Sequence, residues 1–250
     1  MPAAAVLIVR ENDTGSHAVL MDKVYRHQRY IYDLTRRYYL FGRDRMIREL
    51  ALAPGESVVE VGCGTARNLI KIARRYPKAQ LFGLDASAEM LETARRNLAR
   101  AKLQHRVTLV QGYAEQLSPS LFGRLDLFDR ALFPYSLSMI PDWRQALRAA
   151  SDSLTPDGRL HVVDFGDLEG LGWIGAGVLR NWLGLFHVEP RTEIVRAIEH
   201  QAALAPGQRG QMVLLPGRYA FLWTAGRAGI GAIGLNYVAQ QTQAGGNSSS

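Results

Sequence analysis

One short run, an apolar strand followed by closely spaced glycines and a helix start, constrains the fold more than any other feature. Residues 58–69 read VVEVGCGTARNL. Gly62 and Gly64 let a ligand approach the backbone where any Cβ would collide with it. Such a loop at the end of a buried strand is typical of the ligand crevice of parallel α/β sheets. The sequence therefore predicts an α/β fold that binds a ligand at the carboxyl end of this strand.

The chain on either side alternates between short apolar strands and amphipathic helices. Strands are predicted over 57–61, 80–84, 107–110, 125–132 and 159–165. Helices are predicted over 65–76, 87–100 and 143–154. Strands separated by helices at this spacing indicate a parallel sheet covered on both faces. Ser87 is predicted to cap its helix, and residues 211–215 and 219–224 are predicted to form a closing antiparallel pair.

Two acidic residues indicate which ligand the glycine loop binds. Asp85 ends the second predicted strand, 21 residues after Gly64, where a carboxylate can accept both hydroxyls of a ribose. A nicotinamide dinucleotide is the alternative, but the spacing is not G-x-G-x-x-G, because Ala66 stands two residues after Gly64. Glu60 would also repel a pyrophosphate. It suits S-adenosylmethionine, which carries an ammonium and a sulfonium.

Together these motifs resemble the class I S-adenosylmethionine-dependent methyltransferases over roughly residues 50–166. The resemblance implies a doubly wound, Rossmann-like α/β fold with a seven-stranded, mostly parallel sheet, preceded here by an N-terminal helical cap. It also implies that Glu60 orients the methionine end of the cofactor and Asp85 holds the ribose. Ala66 replaces the third glycine of the family loop. The residues after the third strand, Gly112-Tyr113-Ala114-Glu115, are implied to flank the adenine, with Tyr113 stacking on it where many members have a bonding aspartate. The remaining predicted cofactor contacts are Gly62, Cys63, Gly64, Asn68, Ala86, Ser87, Met90, Gly112, Ala114 and Glu115.

The segment before this domain is basic and rich in tyrosine. The whole chain has a net charge of +7, and residues 21–50 contain eight basic and four acidic side chains. Tyr25, Tyr32 and Tyr39 are spaced by seven, so they share one side of a helix. A basic amphipathic helix can lie on an anionic membrane surface, the alternative being a solvated face over a tyrosine-lined core.

Aromatic rings attract ammonium groups, at about 0.5–2 kcal/mol each. Tyr25, Tyr32, Tyr39 and Tyr135 are therefore our candidates for a cage at the reacting amine, with core packing as the alternative for each. Asp33 and Asp164 are the candidate bases.

A narrower resemblance concerns the run YRHQRYIYDLTRRYYLFGRD from Tyr25, joined to GCGTARNL and PYSLSMIPDW. From about Met21 to Thr224 the chain resembles the bacterial N-methyltransferase of betaine lipid synthesis. That resemblance implies three methyl transfers, from diacylglyceryl homoserine to diacylglyceryl-N,N,N-trimethylhomoserine. The alternatives are a phosphatidylethanolamine N-methyltransferase, a soluble small-amine methyltransferase and a non-catalytic, cofactor-binding membrane-surface protein.

The expected partner is thus a lipid at an anionic membrane surface. No nucleic-acid partner is expected, because Phe133-Pro134-Tyr135 only partly matches the Asn/Asp-Pro-Pro-Tyr motif of enzymes that methylate nucleobases. No metal is expected either, because the six histidines lack ligand spacing.

The predicted organisation is a flexible lead-in (1–20), the helical cap (21–50), the methyltransferase domain (51–225) and a flexible tail (226–250). The domain includes an insertion around 168–200, whose tryptophans suit a cover over the site at a membrane interface. Cys63 is the one cysteine, so no internal disulfide can form, and we expect a reducing compartment. With no cleaved signal peptide recognised, the predicted location is the cytoplasm, peripheral on the inner face of the membrane.

Overall fold

The computed structural model describes residues 41–172, 191–204 and 210–230, together with Gly177 and Ile233. Its centre is a seven-stranded sheet in the order β3-β2-β1-β4-β5-β7-β6. The strands are β1 Ser57–Val61, β2 Gln80–Asp85, β3 Val107–Gln111, β4 Phe128–Pro134, β5 Leu154–Phe165, β6 Gln211–Leu214 and β7 Ala220–Gly226.

The sheet is mostly parallel. Strand β1 pairs in parallel with β2 on one side and β4 on the other, so the strand order reverses at β1. Strand β7 runs antiparallel to both β5 and β6. All five residues of β1 are buried, as their near-continuous apolar sequence predicts for a central parallel strand. The predicted seven-stranded sheet and its closing antiparallel pair are confirmed.

Helices cover both faces of this sheet. They are α1 Arg43–Glu49, α2 Arg67–Arg75, α3 Ala88–Arg100, α4 Trp143–Asp152 and α5 Thr192–Leu204. Helices α1, α2 and α3 bury their apolar sides in one core, which includes Met46, Leu69 and Leu98. Helices α4 and α5 pack into a second core on the other face, around Trp143 and Ile194. Each face of the sheet thus has its own helix layer.

Local signals fix where these helices begin. The Ser87 hydroxyl accepts a hydrogen bond from the Met90 amide at 3.3 Å, which confirms the predicted cap of α3. Helix α2 begins two residues later than predicted, because Ala66 adopts a left-handed conformation with φ of 61° and belongs to the glycine loop.

The predicted tail is wrong at its start. Residues 227–230 are helical, and Ile230 and Ile233 are buried in the second core. These isoleucines are three residues apart, the spacing of neighbours on one side of a helix. The Ser151 hydroxyl also donates to the Arg227 carbonyl at 3.2 Å. The packed domain therefore continues past residue 225.

Several predicted features lie outside the described residues: Tyr25, Tyr32, Tyr39, Asp33, the lead-in and most of the insertion. Of the predicted cap, the structure describes residues 41–50, which include α1. Among the helices in the described part of the chain, none is long and apolar enough to cross a bilayer.

Candidate cofactor site

The loop after β1 folds back over the end of β2. The amides of Gly62 and Cys63 both donate to the Leu84 carbonyl, at 2.8 and 3.0 Å. Gly62 has a φ of 71°, and a Cβ added to it would lie 2.5 Å from the Ser136 Cβ. Ser136 in turn donates its hydroxyl to the Val61 carbonyl at 2.7 Å. Glycine is therefore required at position 62 by both conformation and space.

Asp85 holds this loop and the start of α3 together. One carboxylate oxygen accepts the Gly64 amide at 2.7 Å, and the other accepts the Ser87 amide at 2.9 Å. Each carboxylate oxygen can accept more than one hydrogen bond, so both can also receive ribose hydroxyls. The structure thus brings Asp85 to the glycine loop at a fixed orientation.

Glu60 lines a small cleft beside the loop. Its side chain is buried, and one of its oxygens accepts a hydrogen bond from the side-chain amide of Asn68 at 2.8 Å. The cleft is lined by Arg43, Glu60, Gly62, Cys63, Thr65, Arg67, Asn68 and Pro134. A buried carboxylate with guanidinium groups nearby suits an amino acid moiety, which carries one ammonium and one carboxylate.

The environment of Cys63 does not favour a reactive thiol. Burial, and then the negative charges of Asp85 and Glu60, raise the pKa of its thiol well above the usual range. Because the thiolate is the reactive form of cysteine, Cys63 is a packing residue of the loop.

The predicted adenine side lies where β2 and β3 end. The Gly112 amide donates to the Asp85 carbonyl at 3.0 Å, and the Gln111 side chain donates to the Ala86 carbonyl at 3.1 Å. Tyr113 is exposed, so its ring is accessible for stacking. Ala114 and Met90 are buried and Glu115 is half-buried. The structure places these predicted contacts at the edge of the sheet that carries Asp85.

Tyr135 does not present a ring face to the cleft. It is 2 % exposed, its ring meets the Phe165 ring edge-on at 4.8 Å, and its hydroxyl donates to the Phe41 carbonyl at 2.5 Å. Burial raises the pKa of this hydroxyl well above its usual range. Of the two interpretations given to Tyr135 from sequence, the structure agrees with core packing.

Accessible rings stand next to Tyr135 instead. Phe41 is 60 % exposed and meets the half-buried Tyr219 at 5.8 Å, and Tyr219 meets Phe165 at 5.9 Å. We call Phe41, Tyr135, Phe165 and Tyr219 the aromatic wall. Sequence reasoning missed Phe41, Phe165 and Tyr219, because residues so far apart in the chain give no local pattern.

Asp164 is engaged in holding a loop. It accepts the Ser138 amide and hydroxyl at 2.9 and 2.8 Å, and the Phe165 amide at 2.8 Å. Burial raises the pKa of its carboxyl to about 6. These bonds tie the turn after β4 to the end of β5, so Asp164 positions the wall of the site, and its buried carboxyl is poorly placed to serve as a base.

In the ranges that the structure describes, no three His, Cys, Asp or Glu side chains gather closely enough to hold a metal ion.

Comparison with known proteins agrees with the geometry of the loop. Residues 58–158 match a protein family described as "Methyltransferase domain". A ubiquinone/menaquinone biosynthesis C-methyltransferase (UbiE) from Syntrophotalea carbinolica is 34% identical over 139 residues, 54% of this chain and 56% of the relative. A demethylmenaquinone methyltransferase from Listeria monocytogenes is 32% identical over 133 residues, 52% of this chain and 54% of the relative. The chain thus spans about half the length of these curated relatives.

Solved structures show the same fold. A SAM-dependent methyltransferase from Aquifex aeolicus has a TM-score of 0.54 at 18% identity, covering 76% of this chain and 92% of that one. An O-methyltransferase family protein from Burkholderia thailandensis has a TM-score of 0.56 at 16% identity, covering 81% and 61%.

The fold is that of class I methyltransferases, and residues 58–158 are similar in sequence to a methyltransferase domain. The match over residues 58–158, together with Glu60 and Asp85 at the loop, assigns S-adenosylmethionine as its cofactor.

Proposed function

We propose that this protein is an S-adenosylmethionine-dependent N-methyltransferase acting on the amine of a lipid headgroup. The proposed substrate is diacylglyceryl homoserine, methylated three times to the betaine lipid. The observation that carries this proposal is the aromatic wall beside the cofactor cleft, with Arg43 at the boundary between them.

The aromatic wall suits a reaction in which a cation is present throughout, first the sulfonium of the cofactor and then the methylated ammonium of the product. The exposed ring of Phe41 and the half-buried ring of Tyr219 can each attract an ammonium, by about 0.5–2 kcal/mol. Tyr135 supports Phe41 through its hydrogen bond to the Phe41 carbonyl. These rings would serve the role that was predicted from sequence for Tyr135.

Arg43 supplies a charge for the anionic part of such a substrate. It lines the cofactor cleft, and its positive charge acts on the nearby Tyr135 hydroxyl. A guanidinium pairs well with a carboxylate or a phosphate. The homoserine headgroup has the first group and phosphatidylethanolamine has the second, so Arg43 fits both lipids.

When bound, S-adenosylmethionine would supply a sulfonium methyl group for in-line transfer to the lone pair of a neutral amine, with the thioether as the leaving group and the protons of the first two products released to solvent. Glu60 and Asn68 would hold the ammonium end of the cofactor, and Asp85 its ribose. The aromatic wall would hold the acceptor nitrogen and exclude water from it. Such positioning supplies much of the rate of a group transfer.

The direct test incubates the protein with labelled S-adenosylmethionine and neutral-detergent micelles containing one acceptor lipid at a time. We expect label in diacylglyceryl homoserine, advancing to the trimethyl form. Label only in phosphatidylethanolamine would keep lipid N-methylation and change the headgroup. Cofactor binding without label in any acceptor would favour the non-catalytic alternative, and label only in free small amines would favour the soluble one.

Matched variants test the aromatic wall. Phe41→Leu keeps an apolar side chain but removes the ring, so KM for the lipid should rise about 3- to 10-fold while the affinity for S-adenosylmethionine stays the same. Phe122→Leu removes a ring that packs with Phe82 and Phe128 and should leave this KM unchanged. Equal effects of the two variants would contradict a role of Phe41 at the amine.

A second candidate function is C-methylation of a quinone ring. It is favoured by the relatives named as ubiquinone/menaquinone and demethylmenaquinone methyltransferases, at 34% and 32% identity. An aromatic wall can also stack a planar ring. Demethylmenaquinone therefore belongs among the acceptors tested, and label in it alone would replace the amine proposal.

A further inference from the structure

The two helix layers differ in charge. Helices α1, α2 and α3 together carry ten basic and four acidic residues. Helices α4 and α5, on the other face of the sheet, carry three of each. Helix α2 contributes most, with Arg67, Lys71, Arg74 and Arg75 and no acid. One face of the domain therefore carries most of the positive charge of its described helices.

Part of this charge is collected in a groove between α2 and α3. Arg67, Lys71 and Arg74 are spaced by four and three residues, so they share one side of α2. They line the groove together with Thr65, Ile70 and Asn97. The Asn97 side chain donates to the Thr65 carbonyl at 3.1 Å and joins the two walls. Lys71 is also paired with Asp44 of α1, while Arg74 is exposed.

The groove adjoins the cofactor cleft. Thr65 and Arg67 line both. The aromatic wall lies on this face too, since Tyr135 and Phe165 belong to the core under α1, α2 and α3, with Tyr219 packed against it. A surface that met the basic groove would therefore also approach the entrance for an acceptor.

We propose that the groove face of α2, formed by Arg67, Lys71 and Arg74, docks on the headgroups of an anionic lipid bilayer. This inference rests on the proposed function, because a lipid acceptor must be drawn from a membrane. Basic residues are attracted electrostatically to an anionic surface, and this attraction decays over about one Debye length. Docking on this side brings the cofactor cleft and the aromatic wall to the bilayer that holds the substrate.

The test measures sedimentation of the full chain with phosphatidylcholine vesicles, with and without phosphatidylglycerol, at low and high salt. We expect binding that requires the anionic lipid and decreases with salt. Lys71→Gln combined with Arg74→Gln should lower the partition coefficient about 25-fold, since each charge contributes a factor of about five. The matched control, Arg148→Gln with Arg196→Gln, removes two charges from the opposite layer and should change it little.

Methylation in neutral-detergent micelles separates docking from catalysis. The α2 double variant should retain that activity, since neither side chain lines the cofactor cleft. Wild-type vesicle binding that is absent, or lowered equally by both double variants, would overturn the docking proposal while leaving the proposed function to the micelle assay. Binding of single-stranded RNA that depends on Lys71 and Arg74, without vesicle binding, would also overturn it, in favour of a nucleic-acid partner.

Discussion

Asp85 combines two tasks in one side chain. Its two oxygens accept hydrogen bonds from the amides of Gly64 and Ser87, so the carboxylate fixes the shape of the glycine loop. The same carboxylate is assigned to the ribose of the cofactor. Its position at the end of β2 follows from sequence alone, because a strand period and a glycine loop can be read locally. Its bonds to those two amides could not be read in that way, because they depend on how the loop folds back.

Replacing Asp85 by alanine should therefore weaken S-adenosylmethionine binding about 10- to 100-fold. Hydrogen bonds to a charged group contribute about 1.5–3 kcal/mol, and the loop amides lose their acceptors as well. Isothermal titration calorimetry measures the change. Asp126→Ala, at an exposed carboxylate, is the control and should leave binding as it is. Unchanged affinity in Asp85→Ala would contradict the assignment of the ribose contact.

Gly62 and Gly55 offer a comparison that separates crowding from conformation. Both have a positive φ, of 71° and 94°, but only at Gly62 would a Cβ meet another atom, the Ser136 Cβ at 2.5 Å. Gly55→Ala should cost about 1–2 kcal/mol of unfolding free energy, the conformational cost alone. Gly62→Ala should cost about 1–3 kcal/mol more and should also reduce cofactor binding. Urea denaturation of the two variants checks this. Equal losses of unfolding free energy would show that Ser136 moves aside at no cost.

The elements of this fold differ in how far sequence reveals them. Strands β1 to β4 and their helices follow from apolar runs, caps and turns, which are local signals. The cofactor half of the site is built on these elements, so Glu60 and Asp85 could be predicted. The aromatic wall could not, because β7 brings Tyr219 to Phe41 only once the sheet is complete. The burial of Tyr135 likewise depends on partners far along the chain.

The start of helix α3 depends on its capping residue, Ser87. Ser87→Ala removes the hydroxyl that accepts the Met90 amide at the first turn of the helix. Loss of such a cap should lower the free energy of unfolding by about 1 kcal/mol, as measured by urea denaturation. The Ser87 amide still donates to Asp85, so cofactor affinity should change less than in Asp85→Ala. The exposed Ser120→Ala is the control. A similar loss of unfolding free energy in this control would contradict a stabilising role of the Ser87 cap.

The cofactor cleft and the aromatic wall meet where the strand order of the sheet reverses. The cofactor cleft lies at the ends of β1 and β2, and the aromatic wall lies at the ends of β4 and β5 and before β7. Gly42, which joins Phe41 of the wall to Arg43 of the cleft in the chain, packs closely on the sheet, since a Cβ added there would lie 3.0–3.1 Å from Val163, Leu215 and Leu222. Such a switch point in an open α/β sheet is where ligands bind, so one crevice can hold both the methyl donor and its acceptor.

The same sheet buries two ionisable groups of β5 whose contributions to stability change with pH in opposite directions. Burial, with the nearby charges of Arg130 and Arg159, lowers the pKa of His161 from 6.5 to about 3. Its contribution to stability is therefore present above pH 6.5 and is lost as the pH falls towards 3. Burial raises the pKa of Asp164 from 3.8 to about 6, so its contribution is present below pH 3.8 and is lost as the pH rises through 6. Between about pH 4 and 6 the two slopes oppose each other.

Substituting His161 should change how the free energy of unfolding depends on pH. In the wild type, His161 is neutral in the folded protein but takes up a proton when the chain unfolds between pH 6 and 4. In His161→Gln this proton uptake is absent. The stability difference between wild type and variant should thus shift in favour of the variant by up to about 1.4 kcal/mol per pH unit from pH 6 down to 4. Urea midpoints across this range, converted to free energies, provide the measurement, with the exposed His105→Gln as the control. A difference that stays constant with pH would mean that His161 is protonated in the folded protein, despite its place beside Thr224 inside the sheet.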